Sequence, residues 1–121
     1  MLKNEKDWNW KATIEENIRL GYSELLILHL LSIRDMYGYE MKKVITDLTG
    51  NSLIPVENSL YIPLLRMESR GLITSRQENV IGKRFRTYYH IEDFGKQYLE
   101  YGKEQFITVS ESVKKVFDHK E

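Results

Sequence analysis

A chain of 121 residues, 41% hydrophobic and 30% charged, is long enough for one globular domain and too short for two of ordinary size. Eighteen basic and eighteen acidic residues cancel, so overall charge announces no polyanionic partner, and the lack of cysteine excludes disulfides, thiol nucleophiles and thiolate zinc sites. His29, His90 and His119 stand at no metal-binding spacing, the apolar run Leu25 to Leu31 is far below the roughly 20 residues of a membrane span, and the first ten residues hold no apolar signal core. The expectations are no metal, no cofactor, no membrane and a cytoplasmic location.

Residues 1–12, with Trp8 and Trp10, read as a flexible N-terminal arm. Thr13 followed by Glu16 is a capping-box pattern, and Ile14, Ile18, Leu25, Leu28, Leu31 and Ile33 then supply an apolar surface, predicting a helix from about Ile14 to Ile33. Gly21, which costs a helix about 1 kcal/mol relative to alanine, marks a bend or fresh start near Tyr22. His29 on this surface reads as a core or interface histidine. A second helix is predicted from about Tyr37 to Leu48, with Tyr39, Val44, Ile45 and Leu48 inward, Lys42 and Lys43 on a solvated face, and Thr49 to Ser52 as its turn.

Pro55 suits the start of a third helix, whose core face is Leu60, Leu64, Leu65, Met67 and Leu72. Pro63 costs little only in a first turn, so this helix begins near Ser59 or kinks at Pro63, and Gly71 closes it. Ile73 to Arg76 and Arg84 to Ile91 read as a two-stranded ribbon around Ile81-Gly82-Lys83. From Asp93 to about Phe117 a long helix carries Leu99, Phe106, Val109, Val113 and Val116 at four-three spacing, with Gly95 and Gly102 on the same seam and Phe94, Tyr98 and Tyr101 beside it.

Three helices and a ribbon are the layout of a winged helix-turn-helix, and the charge map agrees. Residues 34–90 hold nine basic and six acidic groups while both flanks are net acidic, and Gly82 to His90 contains Lys83, Arg84 and Arg86 without an acid. A cluster like this suits phosphates; by itself it is equally a solvated strand pair. The fold class expected is mainly α with a small β-ribbon: a winged helix-turn-helix domain over 13–92 and a C-terminal dimerisation helix over 93–121. With no nucleophile and base pair and no phosphate loop, enzymatic activity is not expected.

Four segments, within roughly Gly21 to Phe117, carry a family resemblance. Tyr37-Gly38-Tyr39-Glu40-Met41, then Asn58-Ser59-Leu60-Tyr61 with Arg66-Met67-Glu68 and Gly71-Leu72-Ile73, then Gly82-Lys83-Arg84 to Tyr88-Tyr89, and Glu92 to Gly95 together resemble the PadR-like transcriptional regulators. The single final helix resembles the compact subfamily. Three positions depart from the pattern: Tyr37 stands for histidine, Asn58 for glycine, and the proline after Tyr61 comes one place late, at Pro63. Glu92 stands for a threonine N-cap, which leaves Asp93 as the better cap.

The resemblance implies a homodimeric DNA-binding regulator, a repressor on a palindromic operator. Asn58, Ser59 and Tyr61 would act on the recognition helix and Lys83, Arg84 and Arg86 on the wing, with double-stranded DNA as partner. Asn58 and Ser59 serve equally as caps, and Tyr61 as a packed aromatic. The seam Leu99, Phe106, Val109, Val113 and Val116 lacks a cover within so short a chain, which makes a second copy the economical partner. Multidrug-sensing relatives of the compact subfamily line a dimer-centre cavity with an aromatic matching Phe106, implying a small aromatic or hydrophobic effector there. Core packing accounts for Phe106 as well, and Trp8 and Trp10 are either an exposed arm or a cover for that cavity. The alternative to DNA binding is a winged-helix module for protein interaction.

Overall fold

A computed structural model describes residues 8–53 and 60–121, so Pro55, Asn58 and Ser59 lie outside the described residues. The order is α1 (Trp10–Leu20), α2 (Ser23–Ile33), β1 (Met36–Tyr37), α3 (Gly38–Leu48), α4 (Tyr61–Ser69), β2 (Ile73–Ile81), β3 (Arg84–Ile91) and α5 (Asp93–Phe117). The expected first helix is two. The chain turns at Gly21 and Tyr22, and the Ser23 hydroxyl closes the break by donating to the Arg19 carbonyl at 2.7 Å. The cap of α1 is not Thr13 with Glu16. Asn9 caps it by accepting from the Ala12 amide at 3.3 Å, so the helix starts at Trp10 and Thr13 lies inside it.

Ile27, Leu28, Met41, Met67, Leu72 and Ile73 are wholly enclosed, and Leu30, Leu31, Met36, Ile45, Leu64, Ile91 and Leu99 complete the core. Burial of each such side chain stabilises the fold by about 1.5–3 kcal/mol before chain entropy is counted. Met41 and Ile45, four apart, form the inner stripe of α3, which leaves Tyr39 (69% exposed) and Leu48 (76%) outside, contrary to the expected inward set. His29 is exposed, so it is not a core histidine. At the end of α3, Gly50 and Asn51 take positive φ, the chemistry read from Thr49 to Ser52.

Pro63 sits in the first turn of α4, where its missing N–H costs nothing, and it is buried with Leu64 and Met67. Leu65 points outward instead, because positions 63, 64 and 67 already fill the inner face. Gly71 (φ 77) ends α4 in a Schellman arrangement, its N–H bonding the Glu68 carbonyl at 3.1 Å and that of Leu72 the Met67 carbonyl at 2.9 Å.

The ribbon gains a third strand. The sheet is antiparallel in the order β1-β3-β2, with Met36 opposite Tyr89 and Tyr37 opposite Tyr88. Gly82 (φ 59) and Lys83 form a two-residue hairpin loop, and a bulge between Asn79 and Ile81 sets its register. Glu92 stays the N-cap residue of α5, so Asp93 does not displace it, and its carboxylate accepts from the Thr74 hydroxyl at 2.7 Å. Gly95 and Gly102 let α5 settle on its own domain: an added Cβ would stand 2.2 Å from the Leu72 carbonyl oxygen and 2.4 Å from the Leu25 side chain respectively.

Candidate nucleic-acid interface

Helix α4 has one buried side and one open side. With Pro63, Leu64 and Met67 inward, Tyr61 (56% exposed), Ile62, Leu65 and Ser69 line the outer surface. Tyr61 is thus more than half exposed rather than packed, and among the described residues its hydroxyl has no hydrogen-bond partner. Ile62 and Leu65 also belong to this surface, and sequence reading missed them because an apolar residue at helical spacing defaults to the core. Behind α4, Glu24 of α2 accepts from the Tyr98 hydroxyl at 3.0 Å and lies 3.9 Å from Arg66. Burial, then the bond to Glu24, raises the Tyr98 hydroxyl above its ordinary pKa. Burial does the same to Tyr89, helped by the nearby Glu68 and Tyr61.

Lys83 stands exposed in the wing loop, with Arg84 and Arg86 exposed on β3 behind it. Arg86 is not a free cation: its guanidinium carbon lies 4.3 Å from the centre of the Tyr37 ring. Tyr37 packs edge-on against Tyr88 at 5.4 Å, and Arg76 lies over Tyr88 at the same distance. Arg76 continues to Asp35 (2.5 Å) and Glu78 (2.8 Å), and His90 Nδ1 meets Asp35 Oδ1 at 2.7 Å. Partial burial opposes ionisation of Asp35, but bonds to His90 and Arg76, and their charges, outweigh it and hold the carboxyl below its ordinary value. This ladder ties the wing to the α2–β1 corner. It escaped the sequence reading because its members are up to 55 positions apart.

The long helix divides. Leu99, expected on the intermolecular seam, is 2% exposed within the chain's own core, whereas Phe106 (44%), Val109, Val113 and Val116 are uncovered. Phe106 borders an open groove of about 650 Å³ with Leu20, Leu25, Tyr98, Tyr101 and Val109. Trp8 and Trp10 are half exposed and do not line it; Trp8 donates to Thr13 Oγ1 at 3.1 Å. Among the described residues, no three His, Asp or Glu side chains gather as a metal site, and no helix is long and apolar enough to cross a membrane.

Residues 27–101 match the model of the transcriptional regulator PadR-like family. The chain belongs to that family. It shares its winged helix-turn-helix fold and its class, transcription regulators rather than enzymes. A PadR family transcriptional regulator from Eggerthella lenta superposes with a TM-score of 0.78 at 29% identity, over 93% of this chain and 96% of that one. The Escherichia coli transcriptional regulator YqjI is 33% identical over 94 residues, which are 78% of this chain and 44% of the relative. Bacillus subtilis PadR, solved in complex with operator DNA, aligns with a TM-score of 0.59 at 26% identity over 64% of this chain and 44% of that one.

Proposed function

We propose that this PadR-like chain is a homodimeric repressor that binds duplex operator DNA. The observation that carries the reading is the pairing, on one domain, of an α4 whose outer side is open from Tyr61 to Ser69 with a wing whose loop presents Lys83. The similar Bacillus subtilis protein with its operator DNA supports it. In this reading α4 lies in the major groove, with Tyr61 at its entering end and Asn58 and Ser59 just before it. Lys83 and Arg84 meet phosphates, and Arg86 chiefly braces the wing through Tyr37. The dimer forms through the outer half of α5, and the groove beside Phe106 takes a small aromatic or hydrophobic effector that relieves repression.

Salt titration tests the DNA reading. Each phosphate neutralised contributes a slope of about −0.9 to log affinity against log salt on B-form DNA. The wild type is expected to bind duplex DNA with a steep slope, and a Lys83→Ala, Arg84→Ala, Arg86→Ala triple variant to bind specific and random duplexes more weakly with a slope shallower by about two. A triple variant with wild-type affinity and slope removes the wing from the interface, and a wild type that binds no duplex at any salt leaves a protein-interaction module.

A further inference from the structure

The wing has two faces, and the contacts at its base identify them. Side chains alternate along a strand, so Ile73, Ser75, Gln77 and Asn79 share one face with their register partners Ile91, Tyr89, Thr87 and Phe85. Ile73 and Ile91 enter the core, and Ser75 donates to Glu68 of α4 at 2.5 Å, which puts this face on the α4 side. Arg76, Glu78, Arg86, Tyr88 and His90 occupy the opposite face, where Asp35 and Tyr37 hold four of them. The arginines that drew attention in the sequence thus lie on the side turned away from α4. The side continuous with α4 ends in exposed Gln77 and Asn79 around Phe85, 61% exposed, and carries no charge beyond Ser75.

We infer that this inner wing face is a second base-reading surface, on which Gln77 and Asn79 address the minor-groove edges of A·T pairs beside the half-site met by α4, with Phe85 against the adjoining base step. The inference rests on the DNA-binding reading above. In the minor groove an A·T pair offers only acceptors, adenine N3 and thymine O2, whereas G·C adds a donor. Carboxamides supply the matching N–H groups. An exposed aromatic among them is the kind of wedge that minor-groove proteins set against base steps. The reach fits, since the four residue steps from Ser75 to Asn79 span about 13 Å, close to the major-groove width of about 12 Å. With α4 in the major groove, Asn79 overhangs the next groove. The charge fits too: Lys83 stands at the apex, and the wing's acid, Glu78, is on the far face bound to Arg76 at 2.8 Å.

The full chain is first used to select its site from random-sequence duplexes. Affinity is then measured for that site and for copies whose flanks, just outside the α4 half-sites, are changed from A·T to G·C. Wild type is expected to lose about tenfold on the G·C flanks, and the Gln77→Ala, Asn79→Ala variant to bind both equally. Hydroxyl-radical protection of the flanking sugars should be present with wild type and absent with the variant. If that variant does not fold, Asn79→Asp removes the N–H donors at constant volume and takes its place. A wild type with a selected site but no flank preference, or a folded variant that keeps the preference, overturns the inference and leaves the DNA reading standing. A wild type that selects no duplex overturns both.

Discussion

Gly95 shows how one missing side chain fixes the join between the domain and its long helix. The Leu72 carbonyl that an added Cβ would meet at 2.2 Å also accepts the Glu92 amide at 3.0 Å, so it cannot step aside freely. Alanine would gain about 1 kcal/mol in helix propensity, but overpacking of this kind costs about 1–3 kcal/mol or more, and here the obstacle is backbone. Gly95→Ala is expected to lower stability by about 1–2 kcal/mol net, read as a lower denaturation midpoint in urea with unchanged slope. A more stable variant would show that α5 can move away from Leu72. The sequence placed Gly95 and Gly102 on the seam of the long helix as sites of close helix contact, whether with a partner or with the chain's own domain. Spacing alone could not say which neighbour needed the room, and both glycines face their own domain.

Among the elements, α5 was legible to the residue, because Glu92 and Asp93 open it and an unbroken heptad pattern runs to Phe117. The ribbon was legible too, through its β-branched and aromatic residues and the glycine of its loop. Strand β1 was not, since two residues carry no periodicity and Met36 and Tyr37 become a strand only by pairing with Tyr88 and Tyr89. Of the candidate site, the elements that carry Tyr61 and Lys83, a helix start and a wing loop, were legible, whereas the stacking of Arg86 on Tyr37 was not. The corner at Asp35 has a pH signature. Because its folded pKa lies below the ordinary 3.8, the ion-paired state adds stability above that value, and this is lost as pH falls through the lower folded value. Asp35→Asn is expected to melt roughly 2–6 °C below wild type at pH 7, with the gap closing as acid protonates the wild-type carboxylate. A gap that is constant down to pH 2 would mean that the carboxylate does not brace the wing.

At the scale of the whole molecule, one face of α5 changes character along its length. Gly95, Leu99 and Gly102 are packed on the chain's own domain, and the same seam continues through Phe106, Val109, Val113 and Val116, which are exposed and uncovered among the described residues. Helix α1 has the matching property: it buries no residue and turns Trp10, Ile14 and Ile18, each four apart, to the outside. Two uncovered apolar stripes on one small domain are more than a monomer ordinarily exposes, and a two-fold pairing would cover both at once. Val109→Asp places a carboxylate in the middle of the α5 stripe, where burial without a cation costs several kcal/mol, while the fold itself, in which Val109 is 54% exposed, is left intact. Sedimentation across a micromolar concentration series should show a dimeric wild type and a monomeric variant with unchanged helicity. Operator affinity should fall in the variant by more than tenfold, because one half-site engagement replaces two linked ones. A wild type that is monomeric in the same series, or a variant as dimeric as wild type, would place the interface elsewhere, and the α1 stripe would be the next to receive the charge, at Ile14.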